Sequence, residues 1–279
     1  MKEKLLIVYN PFSGKGKNGK VEKLKSLISD KFMIDSFESD TVGSIFRYII
    51  EHSKTTYDVI LICGGDGTIN EAIRAIVKLD YLPKIAVFPT GTMNDFATYL
   101  KMSKNPNKMA KYLINMKTKK HTVYCANDSV FVYGFAIGML SNISYEKVHR
   151  KHIFGKLSYY FTAVREIFKT RKTQLTLHIN DKQLKMDCNL LLVSSTNRIA
   201  GYRVKETNGL RVVIFKGVKL FFPFKLLFYF LFGIAKYKFE ASEFSINSNN
   251  TEFNTDGECN YAYNSVIVKK LNEYEFIQK

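Results

Sequence analysis

Val59-Ile60-Leu61-Ile62-Cys63-Gly64-Gly65-Asp66-Gly67-Thr68-Ile69 is the stretch that decides the fold of the first half of the chain. Five apolar residues in a row suit a strand buried on both faces. Three glycines in four positions then let the main chain pass very close to a ligand. Ile69, Ala72, Ile73, Ile76 and Val77 recur at helical spacing. The stretch therefore reads as strand, Gly-rich turn, helix. Working outward, Leu5–Tyr9, Phe32–Phe37 and Ile85–Phe88 read as further strands. Val21, Leu24, Leu27 and Ile28 mark a helix after the first, and Ile45–Ile50 lies in a helix after the second. Such alternation implies a parallel sheet with helices on both faces.

Beyond about residue 120 the rhythm changes. Thr122–Ala126, Val130–Phe135, Gln174–Ile179, Gln183–Val193, Leu210–Phe215, Tyr237–Ile246, Thr251–Asn254, Ala262–Lys269 and Tyr274–Ile277 read as strands between polar turns. Helical stretches interrupt them near Lys156–Phe168 and Phe221–Ile234. The expected architecture is an α/β N-terminal doubly wound, Rossmann-like nucleotide domain over residues 1–121, plus a C-terminal β-rich sandwich domain over 122–279. The last strand is free to return to the first domain.

Three loops follow successive strands of the first domain. In an open parallel sheet, ligands bind outside the carboxyl ends of the strands. The first loop is Asn10-Pro11-Phe12-Ser13-Gly14-Lys15. It lacks the GxxxxGK[ST] spacing, but a Gly/Ser turn into a helix offers main-chain N–H groups to phosphate and Lys15 adds charge. The second is Gly64-Gly65-Asp66-Gly67-Thr68, where the helix N-terminus favours an anion. Asp66 beside a phosphate makes sense once it holds Mg2+, or orients water on it, against a triphosphate. The third is Pro89-Thr90-Gly91-Thr92-Met93-Asn94-Asp95-Phe96. Thr92 is placed to bond phosphate or cap the next helix, and Asp95 to serve the same metal as Asp66. Helix capping alone would explain Asn94 or Asp95, but not the whole string.

Composition sets bounds rather than answers. The 279 residues are 46% apolar and 24% charged, the balance of an ordinary globular protein long enough for two modest domains. Lys and Arg number 42 against 25 Asp and Glu, a formal net charge of +17, which favours a polyanionic partner or an anionic membrane surface. No zinc-finger, basic-zipper or RNA-recognition pattern supports a nucleic acid. Cys63, Cys125, Cys188 and Cys259 form no CxxC pair, and buried free thiols suit a reducing cytoplasm. The longest apolar stretch, Leu226–Ile234, falls well short of the roughly 20 residues a bilayer span needs.

NPFSG, GGDGTINEAI and PTGTMNDFA, in this order and spacing, resemble the catalytic-domain signature of the diacylglycerol kinase superfamily, whose members include sphingosine and ceramide kinases and soluble bacterial relatives. The second motif is shared with NAD kinases; the third points to the lipid kinases. Phe154-Gly155-Lys156-Leu157-Ser158-Tyr159-Tyr160 resembles a family helix, and Thr255-Asp256-Gly257-Glu258 looks like the family's late DGE motif. The resemblance implies ATP and Mg2+ as cofactors. It puts Asn10, Pro11, Ser13, Gly14, Lys15, Ser39, Gly64, Gly65, Asp66, Gly67, Thr68, Asn70, Glu71, Thr92 and Asn94 at the nucleotide. It makes Glu258 the proton acceptor, with Asp256 as its alternative, and leaves Asp66 and Asp95 with the metal.

Two positions depart from the family pattern. An Asp-Gly pair that holds a structural Mg2+ in bacterial members corresponds to Lys205-Glu206-Thr207-Asn208-Gly209-Leu210, where Asn208 offers an oxygen without charge. Lys205, Asn208 and Leu210 are the candidate ligands of that site. An Asp expected in the strand opening the second domain is replaced within Thr122-Val123-Tyr124. The aromatic run Leu220–Ile234, flanked by Lys219, Lys225, Lys236 and Lys238, suits a membrane surface, an acyl-chain pocket or a core helix. The expectation is a cytoplasmic, peripherally membrane-associated lipid kinase, with diacylglycerol the first acceptor. The alternatives are a kinase for another lipid alcohol and a non-catalytic nucleotide-binding regulator. A homodimer is compatible with the sequence.

Overall fold

A computed structural model describes residues 2–13, 18–138, 172–199, 202–205, 207–216, 225, 235, 237–256 and 258–279. The expected helices near Lys156–Phe168 and Phe221–Ile234, the motif at Phe154–Tyr160, and Gly14, Lys15, Glu206 and Gly257 lie outside the described residues, Lys225 excepted. The chain divides into two compact units, Met1–Val123 with Asn272–Lys279, and Tyr124–Leu271.

The first unit is built on β1 (Glu3–Tyr9), β2 (Phe32–Glu38), β3 (Val59–Gly64) and β4 (Lys84–Pro89), all parallel in the order β2-β1-β3-β4. Every residue of β3 is buried, as a central strand covered on both faces requires. Helices α1 (Asn18–Ile28), α2 (Ser44–Glu51) and α3 (Asp66–Ile76) connect the strands. Val21, Leu24 and Ile28 on α1 pack with alternate residues Leu5, Ile7, Val59 and Leu61 of the sheet. Two further helices follow β4: α4 (Asp95–Tyr99) and α5 (Pro106–Asn115). The sequence reading contained no α5, although its start signal is present. Asn105 accepts from the N–H groups of Asn107 and Lys108, and Pro106 occupies the first turn. Its Met109, Ala110 and Leu113 join the core shared with α1.

The second unit is β-rich. Past Val123 it takes in the end of β5 (Thr118–Ala126), then β6 (Ser129–Phe131), β7 (Gly134–Gly138), β8 (Thr173–Ile179), β9 (Lys182–Cys188) and β10 (Leu190–Ser194). After the short pair β11 (Arg198–Ile199) and β12 (Tyr202–Arg203) come β13 (Leu210–Phe215), β14 (Tyr237–Ala241), β15 (Phe244–Thr255) and most of β16 (Glu258–Ile277). Strand β15 is the pivot. Its first half pairs with β8 and its last residues pair with β7, while β16 runs along its other edge. Residues from both branches, Leu175, Leu177, Phe135, Ile137, Val193 and Val212 among them, bury one common core. The β8–β9 turn has positive φ at both Asn180 and Asp181, the backbone of a tight two-residue hairpin.

Several strand boundaries differ from the sequence reading: Val130–Phe135 is shared between β6 and β7, Thr251–Asn254 is the end of β15, and three further cases have a clear cause. The single strand expected over Gln183–Val193 is two, because β9 pairs with β8 whereas β10 pairs with β7 and β13. Asn189 divides them, its carbonyl so close to Gly138 that a Cβ there would come within 2.4 Å of it. The strand expected over Tyr237–Ile246 is also two, β14 and β15. Conversely, Ala262–Lys269 and Tyr274–Ile277 merge into β16. Val266, Val268, Tyr274 and Phe276 are buried at one unbroken two-residue parity, so the polar stretch between them continues the same strand. The far end of β16 lies in the first unit, with Phe276 paired in parallel to Ile85 and packed edge-on against Phe96.

Candidate active site

The strand order β2-β1-β3-β4 makes the connections leave β1 in opposite directions, which opens a crevice at the carboxyl ends of β1 and β3. The three loops found in the sequence all leave that edge. The N–H of Asn10 donates to the Cys63 carbonyl at 3.1 Å, tying the first loop to β3. Asn10 Oδ1 accepts the N–H of Phe12, and the N–H of Ser13 donates back to the Asn10 carbonyl, which folds the loop over. On the other side of β1, the Ser39 N–H donates to the Tyr9 carbonyl at 2.8 Å.

After β3 the chain turns into α3 without a loop. The helix starts at Asp66, so the residues read as a Gly-rich turn form its first turn instead. Gly65 occupies the N-cap position and no side chain caps the helix. The leading main-chain N–H groups lack intrahelical acceptors, and the helix dipole adds positive potential there. Gly64 is required for the turn because a Cβ on it would fall 2.3 Å from Thr68 Cβ.

The third loop lies against the second. The N–H groups of Thr90 and Gly91 donate to the Gly64 carbonyl at 3.1 and 3.3 Å. A Cβ on Gly65 would meet Gly91 Cα at 3.3 Å and Ser13 Oγ at 3.6 Å, so parts of all three loops converge on Gly65. Among the described residues two buried polar atoms here have no hydrogen-bond partner, Thr90 Oγ1 and Asn94 Oδ1. Unsatisfied buried groups of this kind mark a place where a polar ligand completes the bonding.

Asp66, 5% exposed, sends its carboxylate across to α4. Its Oδ2 accepts the N–H of Asp95 at 3.2 Å and its Oδ1 the N–H of Phe96 at 3.3 Å. Asn94, in the left-handed region with φ 56°, makes no cap of its own, so Asp66 supplies one from 29 residues upstream. Asp95 is buried beside it. An ionised carboxylate has about four lone-pair sites, so accepting the two N–H groups of α4 is compatible with a metal or a metal-bound water as a further partner. Among the described residues no three His, Cys, Asp or Glu side chains gather into a protein-only metal cage. The donor set fits Mg2+ bound through one or two carboxylates with phosphate and water completing the shell.

The remaining expected nucleotide residues differ in what they touch. Thr68 and Asn70 are buried on α3, whereas Thr92 is exposed. Glu71 Oε1 accepts the N–H groups of Ile45 at 2.9 Å and Phe46 at 3.2 Å. It caps α2, whose N-cap Gly43 has no side chain to do so. The Ser39 hydroxyl is within hydrogen-bond distance of the Ser44 hydroxyl and the Thr41 carbonyl, closing the turn into α2.

In the second unit, Asp256 occupies the turn between β15 and β16, at φ 52°. It is 1% exposed. Its carboxylate accepts from the N–H groups of Val132, Tyr133 and Gly134 at 2.7, 3.0 and 2.8 Å. Tyr133 Oη donates to the Asp256 carbonyl, and the Asp256 N–H to the Gly134 carbonyl. Asp256 is thus a clamp on the start of β7. Glu258 stands opposite Thr255 at the head of β16, its side chain outside the described residues. Lys205 and Asn208 are exposed, and Leu210 is buried where β13 begins; Gly209 between them has φ 113°.

Residues 4–126 match the family described as the diacylglycerol kinase catalytic domain. Among curated proteins, the diacylglycerol kinase of Bacillus subtilis (strain 168) is 29% identical over 203 residues, 70% of this chain and 66% of that protein. A diacylglycerol kinase of Staphylococcus epidermidis is 27% identical over 205 residues, 72% of this chain and 65% of its own length. The chain therefore spans slightly under two thirds of these relatives. Among solved structures, the crystal structure of a diacylglycerol kinase from Bacillus anthracis str. Sterne superposes with a TM-score of 0.82, at 23% identity, covering 99% of this chain and 97% of that one. The likeness establishes the fold, an N-terminal α/β unit followed by a β-rich unit. The match over residues 4–126 is to the lipid-kinase class to which the three loops pointed.

Proposed function

We propose that the chain is a kinase that transfers the γ-phosphoryl group of ATP to the hydroxyl of a lipid, diacylglycerol being the first candidate. The observation that carries this reading is the contact of Gly65 with Gly91 beside the uncapped start of α3. Three loops meet where main-chain N–H groups and a helix N-terminus suit a polyphosphate. Phosphoryl transfer asks the protein mainly for positioning and charge neutralisation. Asn10, Ser13, Gly65, Gly67 and Thr68 then cradle phosphate, with Thr90 Oγ1 as a further donor. Asp66 would hold Mg2+, which neutralises charge on the transferred group. The acceptor oxygen bonds to the γ-phosphorus as its bond to the ADP oxygen breaks, and Glu258 takes the hydroxyl proton.

The formal charge of +17 supports work at an anionic surface. Binding that rises on anionic vesicles and falls with salt is the expected behaviour; equal binding to neutral vesicles would sink it.

The test is transfer of labelled phosphate from ATP and Mg2+ into a total lipid extract, wild type beside Glu258→Gln. A labelled lipid that disappears in the variant, with ATP still bound, supports the reading. ATP binding without any labelled lipid would favour a nucleotide-binding regulator instead.

A further inference from the structure

The first unit carries its positive charge unevenly. Residues 101–120 lead into α5, form it and enter β5; they hold seven lysines and neither Asp nor Glu. Helix α5 lies against α1. Near the start of both helices, Lys20 Nζ donates to the Lys104 carbonyl at 3.5 Å. Near their ends, Lys31 Nζ donates to the Ile114 carbonyl at 2.7 Å. The two helices therefore run side by side in the same direction. Val21, Leu24 and Ile28 of α1 face the sheet in one core with Met109, Ala110 and Leu113 of α5. The opposite arcs of both helices form a single outer surface.

That surface consists of lysines around two apolar side chains. On the α1 side, Lys20, Lys23, Leu27 and Lys31 recur at three- and four-residue spacing and make one stripe. Both ends of the stripe reach α5, so Leu27 borders the seam between the helices. On α5, Lys108, Lys111 and Ile114 are exposed. Leu27 is 40% exposed and Ile114 44%, the latter at the end that Lys31 reaches. The ion pairs among the described residues, Lys25 with Glu22 and Lys31 with Glu3, engage none of Lys23, Lys108 and Lys111. A surface of this charge favours an anionic partner. A nucleic acid would gain from the lysines but not from Leu27 and Ile114. An anionic bilayer takes both, because its headgroups attract lysine and the boundary beneath them accepts apolar side chains.

We propose that the α1–α5 surface docks the first unit on an anionic phospholipid membrane, with the lysines at the headgroups and Leu27 and Ile114 at the acyl boundary. The inference rests on the lipid-kinase reading for the reason a membrane is met, and it names the surface that meets it. Because β2 is parallel to β1, α1 runs back from the carboxyl edge of the sheet, where the first loop lies. The Lys20 contact brings the start of α5 to the same edge. One end of the docking surface therefore adjoins the crevice, and docking holds its loops beside the plane from which a lipid hydroxyl comes. The position of these lysines, and not the net charge of the chain, carries the binding.

The experiment measures binding of the full chain to phosphatidylcholine vesicles with and without phosphatidylglycerol. One variant combines Lys23→Gln, Lys108→Gln and Lys111→Gln. Its control combines Lys182→Gln, Lys185→Gln and Lys269→Gln, exposed lysines of the second unit, and changes the net charge equally. With about fivefold in binding per lysine at an anionic surface, the first variant should bind about a hundredfold more weakly and the control less than about threefold. Leu27→Gln with Ile114→Gln should weaken binding about fivefold and leave its salt dependence unchanged. All three should keep the wild-type Tm, since every altered side chain is exposed. Equal losses in the two lysine variants overturn the proposal, because net charge would then bind without this surface. So does a wild type that ignores anionic vesicles. A Leu27 and Ile114 variant that binds like wild type, or duplex DNA held more tightly than vesicles and released by the first variant, overturns it in favour of a soluble polyanion. Transfer of phosphate to a short-chain diacylglycerol dispersed as monomers needs no membrane, and the first variant should match wild type there. If it loses that activity too, the lysines act at the crevice and the assignment falls. Failure of the wild type on the dispersed lipid strikes the lipid-kinase reading instead, and the vesicle comparison still decides the surface.

Discussion

A Cβ built on Gly91 would fall 2.4 Å from the Cα of Gly65 and 3.0 Å from its nitrogen. The turn after β4 therefore touches the turn after β3 main chain to main chain, with no flexible side chain able to yield. Gly91→Ala must push the two loops apart, at about 1–3 kcal/mol for overpacking of this kind. Gly65→Ala meets its nearest neighbour at 3.3 Å and needs a shift of only a few tenths of an ångström. ATP binding, followed by calorimetry, should fall at least tenfold for Gly91→Ala and clearly less for Gly65→Ala. Equal, small effects would mean that the loops do not form the phosphate cradle.

Asp66 combines a structural contact with an expected metal contact, and two substitutions separate them. Asp66→Ala removes the acceptor for the N–H groups of Asp95 and Phe96, so stability should drop by about 1 kcal/mol as for a lost helix cap. Asp66→Asn keeps one carbonyl oxygen for the cap but loses the charge that favours Mg2+. Thermal melts should show Asn close to wild type and Ala lower, while phosphoryl transfer should be lost in both. An Asn variant with full activity would leave Asp66 as a cap only.

How much of this was legible in the sequence depended on where each residue's partner lies. Strands such as Val59–Cys63 could be read because burial on both faces leaves an uninterrupted apolar run. The three loops could be grouped because a parallel sheet sends every βα turn to the same edge. The family resemblance is what places Glu71 at the nucleotide. Its partners are the N–H groups of Ile45 and Phe46, more than 20 residues away in sequence, and no local pattern announces that contact. Asp256, the alternative proton acceptor by resemblance, is held in the same way by amides distant in sequence, on the approach to β7. Arg211 passed unnoticed inside Leu210–Phe215 because an isolated charge in an apolar run looks like a solvent-facing strand position. Its burial emerges only from the structure.

Glu71 yields a prediction that runs against its position beside the Gly-rich turn. Glu71→Ala should lower stability by about 1 kcal/mol through loss of the α2 cap. Glu71→Gln, which keeps Oε1, should lower it by less. The ATP dissociation constant of the Gln variant should stay within about threefold of wild type. A tenfold loss in Glu71→Gln would support a direct role for the residue at the nucleotide.

The cysteines test the packing of both units. Burial pushes the Cys63 thiol far above its ordinary range and the Cys188 thiol up to about 12, disfavouring the reactive thiolate. Cys125 is also raised, again by burial. At pH 8 a thiol-specific reagent should leave Cys63 and Cys188 unmodified until denaturant is added. Rapid labelling of Cys63 in the native chain, read by peptide mass spectrometry, would contradict its position in the core between β1 and β4.

Asp256 and Glu258 share a turn but should fail in different ways when changed. Asp256→Ala deprives three main-chain N–H groups of their acceptor, and buried unsatisfied donors cost about 1–3 kcal/mol each. The variant should melt well below wild type and lose activity with its fold. Asp256→Asn retains one acceptor oxygen and should recover part of that stability. Glu258→Gln should keep the wild-type melting temperature and lose turnover, because a proton acceptor is needed only in the transfer step. Melting temperature and kcat measured on all three variants decide the assignment. If Asp256→Asn melts normally and is inactive while Glu258→Gln turns over normally, the proton acceptor is Asp256, and its three amide contacts orient a base rather than clamp a strand.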